Sequence, residues 1–157
     1  MEKYLIIDTE TTNSMVDDKV DASNSLFYDL GFAVIDESGN IYYAESFVNK
    51  DIFYNEELMN SAYYKDKIPQ YVEDLANGTR TLATTYEIKK AIFETMAKYN
   101  ITSIVAHNAR FDYACMNATT RYLTKSKYRY FFPANVKICD TLKMATDEIG
   151  TMPSYQK

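Results

Sequence analysis

Two carboxylates spaced two residues apart, at the end of an apolar run, are the first place where this chain could do chemistry. In Ile6-Ile7-Asp8-Thr9-Glu10-Thr11, extended backbone puts Asp8 and Glu10 on one face, about 6.5–7 Å apart. Ile6, expected in the core, shares that face. Like charges at the margin of a core are costly unless a cation sits between them. Two readings follow: a divalent-metal site, or a strand that ends at Ile7 and leaves both acids solvated. A second acid-bearing segment, His107-Asn108-Ala109-Arg110-Phe111-Asp112, follows the apolar run Ser103-Ile104-Val105-Ala106. In open α/β sheets, sites gather outside the carboxyl ends of strands. Asp112 falls in the first turn of a helix, where the dipole favours its anion; that is also ordinary helix-start chemistry. If the two strands are neighbours, Asp8, Glu10 and Asp112 converge.

Patterning predicts the elements that must bring them together. A strand is expected over 4–7, reaching as far as Glu10 in the metal-site reading, then a loop over 11–25. Strand-like runs at 27–36 and 41–48 flank Glu37-Ser38-Gly39-Asn40, a hairpin signal. A helix is expected over 55–65 and irregular chain over 68–81, with a turn at Asn77-Gly78. Thr84 and Glu87 fit a capping box; Ile88, Ala91, Ile92, Thr95, Met96 and Tyr99 then line one helical face up to Asn100. A strand over 103–106 precedes a helix from about Ala109, with Phe111, Cys115, Ala118 and Tyr122 near one stripe. A strand over 136–139 leads to a last helix, capped by Asp140, running from Thr141 to about Glu148 and stopped by Gly150. This order implies one α/β domain on a mixed sheet, antiparallel first and parallel after.

At 157 residues, 46% hydrophobic and 25% charged, the chain reads as a soluble globular domain with its own core. No apolar run approaches bilayer length and the start does not read as a signal sequence, so a cytoplasmic protein without a membrane partner is expected. Cys115 and Cys139 lack metal-like spacing and are expected to be reduced. The net charge of −5 argues against a general nucleic-acid coat. Its distribution is uneven. Tyr113 to Cys139 contains no acid and five bases, Arg121, Lys125, Lys127, Arg129 and Lys137, leaving −10 on the remainder. From Arg121 to Tyr130 basic and aromatic groups alternate, which suits the phosphates and unstacked bases of a single strand. The competing reading is a solvated helix end whose cations answer the dipole. Four dispersed glycines make no phosphate-cradling loop, which weighs against an unrelated phosphotransferase.

Ile-Ile-Asp-Thr-Glu-Thr-Thr at 6–12 resembles the first exonuclease motif of the DEDD superfamily of 3′-to-5′ exonucleases. Ala-His-Asn-Ala-Arg-Phe-Asp at 106–112 is similar to its second motif, in which Asn-x-x-Phe-Asp provides the third acid. The intervening hairpin and Asp140-Thr141-Leu142 fit the same order, so the resemblance covers essentially the whole chain. Relatives include proofreading subunits of bacterial replicative polymerases, ribonuclease T and oligoribonuclease. The resemblance implies a ribonuclease H-like fold, a mixed sheet flanked by helices, and two Mg2+ or Mn2+ ions. It implies that Asp8 binds both ions, Glu10 helps to hold the first and Asp112 holds the second. Two cations about 3.5–4 Å apart favour in-line attack of water on a phosphodiester, and carboxylates are the hard oxygen ligands such ions prefer. The implied substrate is the 3′ end of single-stranded DNA or RNA, with Thr9, Thr11, Thr12, Asn108 and Phe111 as candidate substrate contacts. A DNA polymerase is a candidate partner. His107 is expected to be structural, hydrogen-bonding near the strand end.

The family also has a third motif: a fourth aspartate, with His or Tyr about five residues earlier, on a later helix. His107 is the one histidine of this sequence. Asp147 and Glu148 fall on the wrong helix, and no aspartate follows Tyr155. The expectation is therefore a single exonuclease-like domain over 1–157, C-terminally shortened, lacking the last helix and nearly inactive alone. The alternative is a naturally short, non-catalytic nucleic-acid-binding or polymerase-associated module. An apolar face left uncovered by the missing helix favours a homodimer.

Overall fold

Alternation along the first strand decides which way the sheet faces. In the computed structural model, which describes residues 1–13, 15–16, 19–20, 24–62, 65–126 and 129–142, β1 (Lys3–Thr11) buries Leu5, Ile7, Thr9 and Thr11. Ile6, Asp8 and Glu10 share the other face, and Ile6 is half-buried there instead of in the core. The strand does not end at Ile7. It runs on through both acids because β4 (Phe27–Asp36) pairs with its whole length, setting Phe32 opposite Ile7, Gly31 opposite Asp8 and Asp29 opposite Glu10. The segment expected as a loop contains a small antiparallel hairpin, β2 (Met15–Val16) and β3 (Lys19–Val20).

The hairpin of β4 and β5 (Ile41–Asn49) lies where the sequence predicts it. Asp36 closes its turn, accepting from the Tyr42 hydroxyl at 2.6 Å and from the N–H groups of Ser38 and Asn40. Those bonds, led by that of Tyr42, hold its carboxyl down at about 2. β6 (Thr81–Ala83) adds parallel to β5; β7 (Ser103–Ala106) and β8 (Lys137–Asp140) add parallel beyond β1. The sheet order is β6-β5-β4-β1-β7-β8. This is the mixed α/β architecture expected from the order of elements, with an antiparallel centre and parallel additions.

Among the described residues, five α-helices flank the sheet. Two single turns, α1 (Lys50–Phe53) and α2 (Glu56–Met59), are capped by the side chains of Asn49 and Asn55; α2 is the one α-helical turn among the described residues of the 55–65 stretch expected to be a full helix. The stretch expected to be irregular forms α3 (Ile68–Asn77). Pro69 lies in its first turn, where the missing N–H costs nothing, and Gly78 ends it at φ 84°. α4 (Thr85–Lys98) is capped by Thr84, whose Oγ1 accepts from the Glu87 N–H at 3.0 Å, and α5 spans Ala109–Thr124.

Leu5, Ile7, Phe32, Ile88, Ile92 and Met116 join α4 and α5 to the odd-numbered face of β1 in one core. A second core, with Tyr28, Val48, Ile52, Met59 and Tyr71, lies under α1, α2 and α3. A bulge opposite Glu10 and Thr11 lets Phe27 return to the first core while Tyr28 enters the second. Buried Asn49 ties the two halves together: its amide nitrogen donates to the Phe27 carbonyl at 3.1 Å and to Thr85 Oγ1 at 2.8 Å. Both cysteines are free, Cys115 buried and Cys139 half-buried. No helix among the described residues is long and apolar enough to cross a membrane. The expected last helix beyond Leu142, with Asp147 and Glu148, lies outside the described residues, as do Lys127 and Tyr155.

Candidate active site

β1 is longer than its neighbour β7. Their pairing covers Leu5 with Ile104 and Ile6 with Val105, so farther along β1 the edge turned away from β4 has no strand beside it. Asp112 takes that place. Its Oδ1 accepts from the Thr9 N–H at 3.2 Å and from Thr9 Oγ1 at 2.5 Å, and the residue is 7% exposed. The first turn of α5 thus docks on the residue between Asp8 and Glu10, bringing together two segments a hundred residues apart in sequence.

The turn from β7 into α5 is itself fixed. Asn108 takes a left-handed conformation (φ 59°, ψ 52°) at the helix N-cap, which asparagine tolerates better than most side chains. Its N–H donates to Asp140 Oδ1 at 2.9 Å, which also accepts from the Leu142 N–H at 2.9 Å. His107 Nδ1 lies 3.0 Å from Thr141 Oγ1. The histidine is therefore hydrogen-bonded near the strand end, and Asp140-Thr141-Leu142 positions α5 from beside β7.

The acids feel one another. Burial, with the charges of Asp8, Asp29 and Asp112 and against the pull of Lys67, pushes the Glu10 carboxyl up to about 7. Burial and the Asp8 charge outweigh the two bonds from Thr9 and push Asp112 up to about 6. Both shifts have the cause expected of buried carboxylates crowded together, with Lys67 offsetting only part of the effect at Glu10. The donor chemistry fits a hard divalent cation, since every candidate ligand is a carboxylate oxygen. Among the described residues, no three His, Cys, Asp or Glu side chains already stand in an ion-holding arrangement. Asp112 is turned onto Thr9.

Beside Asp8 and Glu10 a cavity of about 340 Å³ opens on the second face of the sheet, walled by Asp29, Lys67, Gln70 and Arg80. Sequence reasoning missed this wall. Asp29 is buried directly opposite Glu10, accepting from Arg80 Nη1 at 2.6 Å and from the Tyr71 hydroxyl at 2.8 Å. Arg80 also reaches Asp74 at 3.1 Å and lies over the Tyr71 ring at 4.5 Å. Burial still raises the Asp29 carboxyl against these partners. An isolated acid inside the otherwise apolar run Phe27-Tyr28-Asp29-Leu30 was the available signal.

Of the other candidate contacts, Thr9 is committed to Asp112, while Thr11 and Thr12 are buried. Thr12 Oγ1 accepts from the Leu26 N–H at 3.0 Å, and the Thr12 N–H donates to the Leu26 carbonyl at 2.9 Å. Asn108 is exposed and Phe111 half-buried.

This architecture recurs in solved structures. E. coli Exonuclease I in complex with a 5cy-dA13 oligonucleotide is similar over 98% of this chain and 31% of that chain, at TM-score 0.57 and 12% identity. Its complex with dT13 matches at TM-score 0.58 and 13% identity, over 98% of this chain and 31% of that one. The zinc ion bound form of the E. coli ExoI–ssDNA complex matches at TM-score 0.58 and 14% identity, over 97% and 30%. The shared feature is the fold. This chain spans about a third of the length of the Exonuclease I chains it matches. No family model and no curated protein matches the sequence.

Proposed function

We propose that this chain carries the acidic site of a metal-dependent 3′-to-5′ exonuclease of the DEDD type, acting on single-stranded nucleic acid. The observation that carries the reading is the docking of Asp112 on Thr9, between Asp8 and Glu10. Asp8, Glu10 and Asp112 are the ligands for Mg2+ or Mn2+. When bound, these cations supply the positive charge that eases water attack on a phosphodiester and stabilises the departing oxygen.

The chain's own groups do the rest. Thr9 holds Asp112 in place through its N–H and hydroxyl. Gly31, opposite Asp8, puts no side chain beside that carboxylate. Lys67 lines the adjoining cavity, where it can meet a backbone phosphate, Arg80 anchors the cavity wall through Asp29 and Asp74, and Asn108 and Phe111 flank the approach along α5. The similarity to Exonuclease I bound to oligonucleotides supports a single-stranded substrate.

The test is degradation of a 5′-labelled single-stranded oligonucleotide with Mn2+. A ladder shortened from the 3′ end that disappears with Asp8→Asn is the expected result. Intact substrate under every metal condition would defeat the reading. A second reading, a non-catalytic nucleic-acid-binding module, is favoured by the cations Arg121 and Lys125 lying over the Tyr130 and Tyr122 rings at the end of α5. It predicts oligonucleotide binding in EDTA with no cleavage.

A further inference from the structure

Along α5 from its acidic first turn toward its C-terminal end, two depressions meet. One, of about 420 Å³, lies between the start of α4 and the end of α5 and is lined by Tyr86, Lys89, Leu123, Arg129 and Tyr130. The other, of about 450 Å³, continues over Phe93, Tyr113, Phe131 and Pro133 and shares Lys89 and Tyr130. Each has the size of a small-molecule site.

The chemistry of this cleft is cationic and aromatic. Lys89 is half-buried, its ammonium 5.6 Å from the ring centres of Phe93 and Phe131. Burial and the neighbouring Arg129 charge both lower its pKa. Among the described residues, neither Lys89 nor Arg129 is in an ion pair with a carboxylate. One acid, Asp51, also lines the first depression, and its Oδ2 accepts from the Thr85 N–H at 2.8 Å. Tyr86 and Tyr130 are 74% and 55% exposed as residues, and Arg121 lies 4.9 Å over the Tyr130 ring. In a chain of net charge −5, Lys89 and Arg129 outweigh the one acid, Asp51, that lines this depression.

Two cations, Lys89 and Arg129, against the single carboxylate of Asp51 leave a net positive cleft that favours an anion, and exposed tyrosines beside them favour a flat base. We propose that this cleft binds a nucleotide unit of a single-stranded nucleic acid, its phosphate against Lys89 and Arg129 and its base on Tyr86 or Tyr130. None of Asp8, Glu10 or Asp112 lines it. Thr120, Leu123 and Thr124 on its wall lie about 12–18 Å from Asp112 along α5 at 1.5 Å per residue. A strand of a few nucleotides can therefore touch both places, yet the cleft needs no metal and no cleavage to bind.

Fluorescence anisotropy with a labelled dT oligonucleotide tests this on the full chain carrying Asp8→Asn, in EDTA, so that neither cation binding nor hydrolysis contributes. The double variant Lys89→Gln with Arg129→Gln is expected to weaken binding at low salt at least tenfold. It should also flatten the slope of log K against log salt by about 0.7 for each phosphate that the two cations no longer neutralise. Tyr86→Ala, at an exposed ring, is expected to weaken binding about fivefold or more. Lys98→Gln, outside the cleft, should change nothing. Unlabelled dTMP should compete better than inorganic phosphate at equal concentration, because the base stacks as well. Binding that is undetectable in the parent, or within twofold of it in the Lys89/Arg129 variant, overturns the proposal. So does competition by phosphate equal to that by dTMP, which marks an anion pocket without a base site. Loss of nuclease activity in Asp8→Asn bears on the acidic site alone.

Discussion

Replacing Asp112 by asparagine is expected to stabilise the metal-free protein while removing its proposed activity. The residue is 7% exposed, and burial with the Asp8 charge raises its pKa from the ordinary 3.8 to about 6. A folded state that holds its proton more tightly than the unfolded chain loses stability as pH rises through that interval. At 1.36 kcal/mol per pH unit the penalty reaches about 3 kcal/mol, which solvent and salt reduce to about 1–3 kcal/mol. It is absent below about pH 4, grows up to about pH 6 and is level above that. Asparagine keeps an oxygen for the Thr9 N–H and hydroxyl but carries no charge, so its stability should lack this slope. Urea unfolding in EDTA at several pH values reads the difference directly. The variant should match the parent near pH 3 and exceed it at pH 8. A variant less stable at pH 8, or a gap independent of pH, would refute the view that a crowded, uncompensated carboxylate sits here. Adding Mg2+ should narrow the gap at pH 8, since an ion bound by the folded state alone stabilises it by about 2.7 kcal/mol at a hundred times Kd.

Other outcomes follow from the same structure. Arg80→Gln removes the 2.6 Å partner of buried Asp29 and is expected to cost about 2–4 kcal/mol at neutral pH. Because the unpaired acid can take up a proton, the loss should shrink toward pH 3, which pH-dependent denaturation will show. Asn49→Ala strips partners from the Phe27 carbonyl, Thr85 Oγ1 and the Asp51 N–H. Thermal unfolding should then report a loss of about 2–4 kcal/mol, with any remaining nuclease activity still abolished by EDTA.

Periodicity and caps made most of the frame readable. Thr84 and the Ile88–Ile92–Met96 stripe announced α4, and the alternation around Glu37-Ser38-Gly39-Asn40 announced the central hairpin. The stretch at 68–81 was less legible because Pro69 reads as a breaker, although the first turn of a helix accepts it, and because β6 is three residues long. Ile68, Tyr71 and Leu75 were spaced for a helix; the core they face is assembled from distant segments. Asp8, Glu10 and Asp112 were visible as motifs. What they face was not, since the register that sets Asp29 opposite Glu10 is fixed by packing between strands far apart in sequence.

The most direct test of a shared acidic cation site is electron paramagnetic resonance of Mn2+ titrated into the protein, where bound ion loses the free-ion signal. The parent is expected to bind Mn2+, Asp8→Asn and Asp112→Asn each to lose that binding at least tenfold, and Lys89→Gln to retain it. Equal Mn2+ binding by all of these proteins, or none by the parent, would contradict the account.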